Sequence, residues 1–522
     1  ALPIPAARLE DLLGLSPMQA GMLFHTQFDP RRQAYVMQLR AEIGGLNPER
    51  FRAAWTQALA CHAALRSGFV AHGGDWLQWV ARDAALPWSA HDGRVLRQAE
   101  RGAWIDGIAQ AERDAGFDLS QPPLMRCALL RTSENGWTFL WTCHHLLLDG
   151  WSASRLLGDV LRAYQGVPLT APVVRYRDYL AWRETRDDAA TQAFWEHETR
   201  ALEAPTHLAP ALGGGDADAA DRGHAEWVDL LDNAKTAALT RLARDARVTV
   251  NTVLQTGWAL VLRRLLGREV VAFGATTAGR PASLPGAQDM LGLFINTLPV
   301  VVELPPGERV ADSLRAQQAR HAAAREHEHA PLHQVQRWAG VGGQALFDTL
   351  LVFENFPIDA ALRDAEPAGL RLGEVAMHSG NHYPLTVRAL LEAAPGQTPA
   401  LRLEYLYDPR RVSVEAVAGV AKAYAHVLQA LAANPESALV EIGLTAADTP
   451  WRQASGVTDA AARAAAPVMI RYLDQVRSRP DAPAVRDGVQ AWTYGELDGR
   501  AWALAQALRA LGVGRELSLI HI

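Results

Sequence analysis

Two apolar runs separated by a turn frame the centre of this chain. Residues 124–132 (LMRCALLRT) and 137–145 (WTFLWTCHH) are rich in side chains that pack well on a pleated surface, and Asn135-Gly136 between them is a strong hairpin signal. The period then changes. Leu156, Leu157, Val160, Leu161 and Tyr164 recur at the spacing of one helix face, Gly166 and Pro168 end the pattern, and Asp149 or Ser152 can cap its start. His144 and His145 therefore sit where a strand gives way to a helix.

The same alternation runs along most of the chain. Before residue 180, the strand-like AYVMQLRAEI (34–43) is followed by amphipathic PERFRAAWTQALACHAAL (48–65) and AWIDGIAQAERDAG (103–116), which predicts an α/β sandwich. A second α/β set follows: the helix NTVLQTGWALVLRRLLG (251–267), then strand-like EVVAFGATTAGRP, GLFINTLPVVVEL, FDTLLVFENF and LRLEYLYDP. Between the sets, ALGGGDADAADRG (211–223) reads as a mobile connector. Residues 445–466 carry few large apolar side chains and read as an interdomain linker. The stretch beyond is too short to close a core alone. Its last residues, LSLIHI, do not continue the preceding helix-and-turn pattern and are expected to mark a truncation or a cloning scar.

Composition narrows the class. At 522 residues the chain exceeds what one core serves, and 49% hydrophobic content suffices for full burial. The net charge of −6, with basic residues scattered rather than clustered, argues against nucleic acid as a partner. Apolar stretches such as WALVLRRLLG are interrupted by arginine, so no run of roughly 18 to 20 residues is expected to span a membrane. No basic segment followed by an apolar core opens the sequence, and a cytoplasmic location is expected. Cys61, Cys127 and Cys143 lie in apolar contexts and read as buried thiols.

The candidate chemistry lies in HHLLLDGWS (144–152): two imidazoles, a carboxylate and a glycine. A titratable pair beside an anion is what proton transfer needs. Successive strand residues face opposite sides, so one histidine is expected to be catalytic and the other structural. A His-His pair by itself is more often core; the complete pattern with Asp149 and Gly150 favours function. His327, His329 and His333 could suggest zinc, but Pro331 interrupts the helix that would align them, so a solvated surface run and no metal are expected.

Several separated blocks together resemble the condensation domain of nonribosomal peptide synthetases. They are LSPMQAGMLFHT (15–26), CHAALRSGFV (61–70), HHLLLDGWS, VRYRDYLAW (174–182), GRPASLPGAQDMLGLFINTLPV (279–300), PLHQVQRWAG (331–340) and FDTLLVFENF (347–356). WTYGEL (492–497) is similar to the opening of an adenylation domain, none of whose later blocks is present, so no amino-acid activation is expected. The resemblance implies two chloramphenicol-acetyltransferase-like lobes, 1–180 and 181–447, in a V-shaped pseudo-dimer. A linker over 448–466 and a truncated adenylation start over 467–522 would follow.

It further implies amide formation in a tunnel between the lobes. The amine of an acceptor aminoacyl thioester would attack a donor thioester, with upstream donor and downstream acceptor carrier domains each supplying a phosphopantetheine arm and an adenylation domain in cis. The chain itself would bind no cofactor. An α-amine with an ordinary pKa near 8 must shed a proton to attack. By the resemblance, His145 accepts or steers it, and His144 holds the strand end. Asp149 polarises a histidine or forms a buried ion pair, and the family pattern favours the pair, with Arg66; Gly150 admits the reactants and, preceding a helix N-terminus, its amide is a candidate to meet the oxyanion; and Asn296 is a tunnel residue or a structural strand-end asparagine. An epimerization domain, which shares the histidine motif, and a non-catalytic recruitment platform are the alternatives. SPMQAGMLFH with HHLLLDGWS is closest to the DCL subtype, which accepts a donor ending in a D-residue.

Overall fold

The computed structural model describes residues 3–28, 35–216, 224–341, 344–354, 369–392, 399–445, 468–487 and 490–510. Residues 1–450 and 451–522 form separate compact units.

In the first unit the early strands are β1 (Leu9–Leu13), β2 (Val36–Gly44), β3 (Ser67–His72), β4 (Asp75–Ala81), β5 (Trp88–Asp92), β6 (Met125–Arg131) and β7 (Gly136–His144). The later ones are β8 (Ala225–Leu231), β9 (Val270–Thr277), β10 (Asn296–Glu303), β11 (Thr349–Glu354), β12 (Arg371–Ser379), β13 (Leu385–Glu392) and β14 (Ala400–Tyr407). They build a five-stranded sheet in the order β12-β2-β7-β6-β5 and a six-stranded one in the order β10-β9-β11-β13-β14-β8; β1, β4 and β3 form a small third sheet.

The hairpin expected at Asn135-Gly136 is β6–β7, antiparallel from Met125↔Cys143 to Arg131↔Trp137. Alternation along β7 sends Phe139, Trp141 and Cys143 into one apolar core and Leu140 into another. The first core is closed by the helix Pro48–Cys61, started by the Asn47 side chain, which accepts from the Arg50 N–H. Its Trp55 is fully buried, with its ring 5.3 Å from Phe139 and 5.2 Å from Trp141. The helix Gly150–Tyr164 packs beside it through Leu156, Leu157, Val160, Leu161 and Tyr164, the stripe seen in the sequence. On the opposite face, Ile105 and Ala109 of the helix Gln98–Asp114 cover Ala128, Leu130 and Leu140.

The second sheet carries the helices Asn233–Ala246, Val250–Leu266 and Val414–Ala433 over the core lined by Leu385, Val387, Leu401, Leu403 and Tyr405. Val414–Ala433 has 20 residues and a mean hydropathy of 1.2, which corrects the expectation that no stretch is long and apolar enough to span a membrane. Val417, Val420, Ala421, Ala423, Tyr424, Val427, Leu428 and Leu431 on this helix are buried within the domain, where Tyr424 donates its hydroxyl to the Leu254 carbonyl at 2.8 Å.

The two halves are not cleanly divided in sequence. The helix Tyr176–Glu184 straddles the expected limit at residue 180, and β12, far down the chain, joins the first sheet by pairing with β2 from Arg371↔Gly44 to Ser379↔Met37. The connector expected over 211–223 is also corrected in its described part. Gly214 forms an antiparallel bridge with Val412, and the Asp216 N–H donates to the Pro409 carbonyl at 2.9 Å. A Cβ on Gly215 would lie 2.2 Å from the Arg410 carbonyl oxygen, so glycine permits close packing there rather than motion. Residues 217–223 lie outside the described residues.

In the second unit, the antiparallel pair Pro483–Asp487 and Gln490–Thr493 lies between the helices Val468–Ser478 and Tyr494–Ala510 in the chain. Thr493 and Glu496 exchange hydrogen bonds as a capping box that starts the last helix. The linker expected over 448–466 and the terminal LSLIHI lie outside the described residues.

Removing the Trp55 side chain deletes the centre of the first core, so Trp55→Ala should cost about 3–5 kcal/mol, read as a fall in the urea unfolding midpoint.

Candidate active site

β7 ends at His144 and the helix begins at Gly150, so five residues make the turn that carries the histidine motif. The His145 N–H donates to the Tyr35 carbonyl at 2.8 Å, which continues the β2–β7 pairing one residue past the strand end. The Leu147 N–H then bonds the His144 carbonyl at 3.1 Å and closes the turn.

The two imidazoles have different surroundings. His144 is buried, with its Nδ1 accepting from the Leu146 N–H at 3.2 Å, so Nε2 carries the proton of the neutral ring. Burial, aided by the neighbouring His145, pushes its pKa down to about 3. His145 is half-buried, and its buried Nδ1 makes no hydrogen bond of good geometry. Burial lowers its pKa from the ordinary 6.5, opposed by its own backbone and by the Asp149 charge. A lowered pKa keeps this ring neutral at pH 7 and able to accept a proton.

Asp149, not Ser152, caps the helix: its Oδ1 accepts from the Ser152 N–H at 2.7 Å. The carboxylate is wholly buried, and its Oδ2 accepts from the Phe294 N–H at 3.0 Å. Its ion-pair partner is Arg280, with Nη2 3.3 Å from Oδ1. This corrects the expected pair with Arg66. Arg66 instead binds Glu10 at 2.5 Å and donates to the backbone carbonyls of Ala81 and Arg82, so its charge is spent on β1 and the end of β4.

Arg280 belongs to the connection between β9 and β10, and its side chain is only 2% exposed. Nη2 also donates to Ser152 Oγ at 2.7 Å, and Nη1 donates to the carbonyls of Ala287 (2.5 Å) and Met290 (3.0 Å). The guanidinium lies 4.0 Å from the Phe294 ring centroid, an added cation–π contact. Gly279 precedes it at φ +61, where a Cβ would meet the Phe294 carbonyl oxygen at 1.8 Å; only glycine lets the connection fold back here. Ser152 Oγ donates to the Gly292 carbonyl at 2.7 Å, the Asp149 N–H donates to the same oxygen at 3.2 Å, and Trp151 Nε1 donates to the Gln288 carbonyl at 3.0 Å. The connection from the second sheet is thus stitched onto the histidine turn of the first.

Gly150 is the first helical residue, directly after this capped carboxylate. Asn296 opens β10, but its amide donates to the carbonyls of Glu328 and Ala330, and its Oδ1 accepts from the Thr297 N–H. With both donors and its acceptor engaged by backbone, it is a structural strand-end asparagine and leaves no free amide for a tunnel. Cys143 is buried and burial pushes its thiol pKa up, so it is no nucleophile.

His327 and His329 are not solvated as expected: both are half-buried within hydrogen-bond distance of Thr191 Oγ1, and His327 stacks on Phe194. Only His333 is exposed. Among the described residues no three His, Cys, Asp or Glu side chains converge as a metal site.

Two residues of the site escaped sequence reasoning. Arg280 sits in the GRP that opens residues 279–300, where its only signal is an arginine beside a glycine. Gln19 donates Nε2 to the Leu146 carbonyl at 3.2 Å; its signal is the S-x-x-Q capping box formed with Ser16.

Asp149→Asn or Arg280→Met alone leaves a buried group without its partner and should each cost about 3–5 kcal/mol in urea unfolding. The double variant should cost clearly less than the sum, while a cycle between Asp149 and Arg66 should be additive within about 0.5 kcal/mol. His144 gives a pH prediction. The folded chain resists protonation to about pH 3, whereas the unfolded ring protonates below 6.5, so the unfolded state binds the extra proton between these limits. Stability therefore falls as the pH is lowered through that window, by up to about 1.4 kcal/mol per unit from this ring. His144→Gln should lose this slope, measured as urea midpoints between pH 6 and 4.

The profile of the condensation domain matches residues 10–449. A linear gramicidin synthase protein of Brevibacillus parabrevis is 35% identical over 98% of this chain and 10% of its own length. Chondramide synthase cmdD of Chondromyces crocatus is 33% identical over 93% of this chain and 13% of its own. The chain thus spans about a tenth of the length of these curated relatives. Its fold is similar to that of holo-AB3403, a four-domain nonribosomal peptide synthetase (TM-score 0.70, 18% identity, 97% of this chain and 39% of the other). It is also similar to the first condensation domain of the calcium-dependent antibiotic synthetase (TM-score 0.66, 19% identity, 83% of this chain and 99% of the other). The mixed α/β frame is shared with these structures, and the chain belongs to the condensation domains of nonribosomal peptide synthetases, enzymes that form peptide bonds.

Proposed function

We propose that His145 accepts or steers the amine proton in this condensation, within a tunnel between two chloramphenicol-acetyltransferase-like lobes arranged as a V. The observation that carries this reading is the contrast within the motif: His144 is sealed and held neutral, while His145 is half-buried, neutral at pH 7 and without a hydrogen bond of good geometry at Nδ1. The acceptor ammonium loses a proton, its nitrogen bonds the thioester carbonyl carbon and gives up a second proton, and the carbon–sulfur bond breaks. The donor arm leaves as a thiolate and takes up that second proton to become a thiol. Both acyl groups arrive on phosphopantetheine arms of partner carrier domains, upstream and downstream, and the chain contributes side chains and no cofactor of its own. Gly150 leaves room for the reactants beside the helix start.

The opening SPMQAGMLFH with HHLLLDGWS supports a donor ending in a D-residue. Trp492–Leu497, at the junction of the last strand and helix of the second unit, supports reading that unit as the start of an adenylation domain working in cis. The three unpaired cysteines fit a reducing cytoplasm.

With two carrier domains loaded with aminoacyl substrates, His145→Ala should lower the rate of amide formation by about 10²- to 10⁴-fold, read by mass spectrometry of the acceptor carrier, with an unchanged melting curve. Wild-type product yield from that variant would remove His145 from the mechanism.

A further inference from the structure

The residue immediately after His145 is gripped from two sides. The Leu146 N–H donates to His144 Nδ1, and the Leu146 carbonyl accepts from Gln19 Nε2 at 3.2 Å. Gln19 lies 127 residues upstream, near the start of the helix Pro17–Phe28, and is 1% exposed. Its amide orientation is fixed by its neighbours: Oε1 accepts from the Ser16 N–H at 2.9 Å, and Nε2 donates a second bond to Gln78 Oε1 at 2.9 Å. Gln78 is oriented in turn, because its Nε2 donates to Ser67 Oγ at 2.8 Å. Ser16, Gln19, Gln78 and Ser67 are all buried.

Each amide in this chain of bonds has its oxygen and nitrogen assigned by its partners, so no flipped arrangement satisfies the set. Buried networks of this kind rigidify what they touch. What this one touches is the carbonyl one residue from the imidazole. On the other side of the same turn, the His145 N–H is held by the Tyr35 carbonyl.

We propose that Gln19 is a positioning residue for His145: by holding the Leu146 carbonyl it fixes the turn from which the imidazole is presented. This rests on the reading of His145 given above. Gln19 touches no reacting atom, and its effect is transmitted through one peptide unit. Misplacement of a reacting group by about 1 Å can cost on the order of 10²-fold in rate.

Gln19→Glu is the informative variant, because a carboxylate can still accept from the Ser16 N–H and so keeps the helix cap while removing both donors. Asn47→Ala, which removes a helix cap elsewhere in the same half, controls for general destabilisation. With loaded carriers, Gln19→Glu should lower kcat roughly 10- to 100-fold while KM for either carrier stays within about twofold. In protein carrying 13C,15N-histidine, the ring signals of His145, assigned by their loss in His145→Ala, should shift in Gln19→Glu and not in Asn47→Ala. Unmoved His145 ring signals in Gln19→Glu would overturn the proposal, as would an unchanged kcat alongside an inactive His145→Ala. An active His145→Ala defeats the catalytic reading alone, since the ring signals still decide whether Gln19 holds that residue.

Discussion

The buried contact of Arg280 with Asp149 and Ser152 is the constraint on which the rest of the site depends. A carboxylate with no exposure to water carries a large desolvation cost unless charge and hydrogen bonds replace its hydration. Here the replacements come from both halves of the domain: the Ser152 N–H of the first, and the Phe294 N–H and the Arg280 guanidinium of the second. Neither half could bury Asp149 alone. The acid therefore converts approach of the β9–β10 connection into a definite register, with Gly292 and Gln288 meeting Ser152 and Trp151.

That register explains why a single turn can carry two histidines with opposite properties. β7 is paired up to its last residue, so His144 inherits the burial of the sheet and its Nδ1 is drawn to the Leu146 amide. One residue later the His145 amide makes the last bond of the pairing, to Tyr35, and the chain turns out of the sheet. The difference between the two rings thus follows from where the ladder stops rather than from strand alternation continued past it.

Much of this was legible in the sequence where the determining contacts are local. The β6–β7 hairpin, the stripe on Gly150–Tyr164 and the capping role open to Asp149 all depend on residues within a few positions of one another. What was not legible depends on tertiary partners. The Asp149 partner lies 131 residues away, and Arg66 was the wrong choice because Glu10 and two backbone carbonyls satisfy it first. Asn296 looked available, yet the carbonyls of Glu328 and Ala330 engage it. The strand β12 gave no clear signal, since it is an edge strand with mostly exposed or half-buried side chains and a register shift between Leu372 and Val375. Weak alternation of that kind does not announce that a late segment will complete an early sheet.

Arg280 also bears on the electrostatics of the turn it anchors. Asp149 raises the proton affinity of His145, and an unpaired carboxylate at that place would favour the imidazolium, which cannot accept a proton. Arg280 pairs with that carboxylate, and burial, the largest influence on His145, leaves the ring neutral at pH 7. The same pairing acts on the helix end. The start of Gly150–Tyr164 carries partial positive charge that suits a developing oxyanion, but a bare capping carboxylate would repel it. With Arg280 beside Asp149 the pair is close to neutral, so the helix start keeps its partial positive charge. One buried guanidinium thereby serves the folding of the two halves and the charge balance of the turn that carries both histidines.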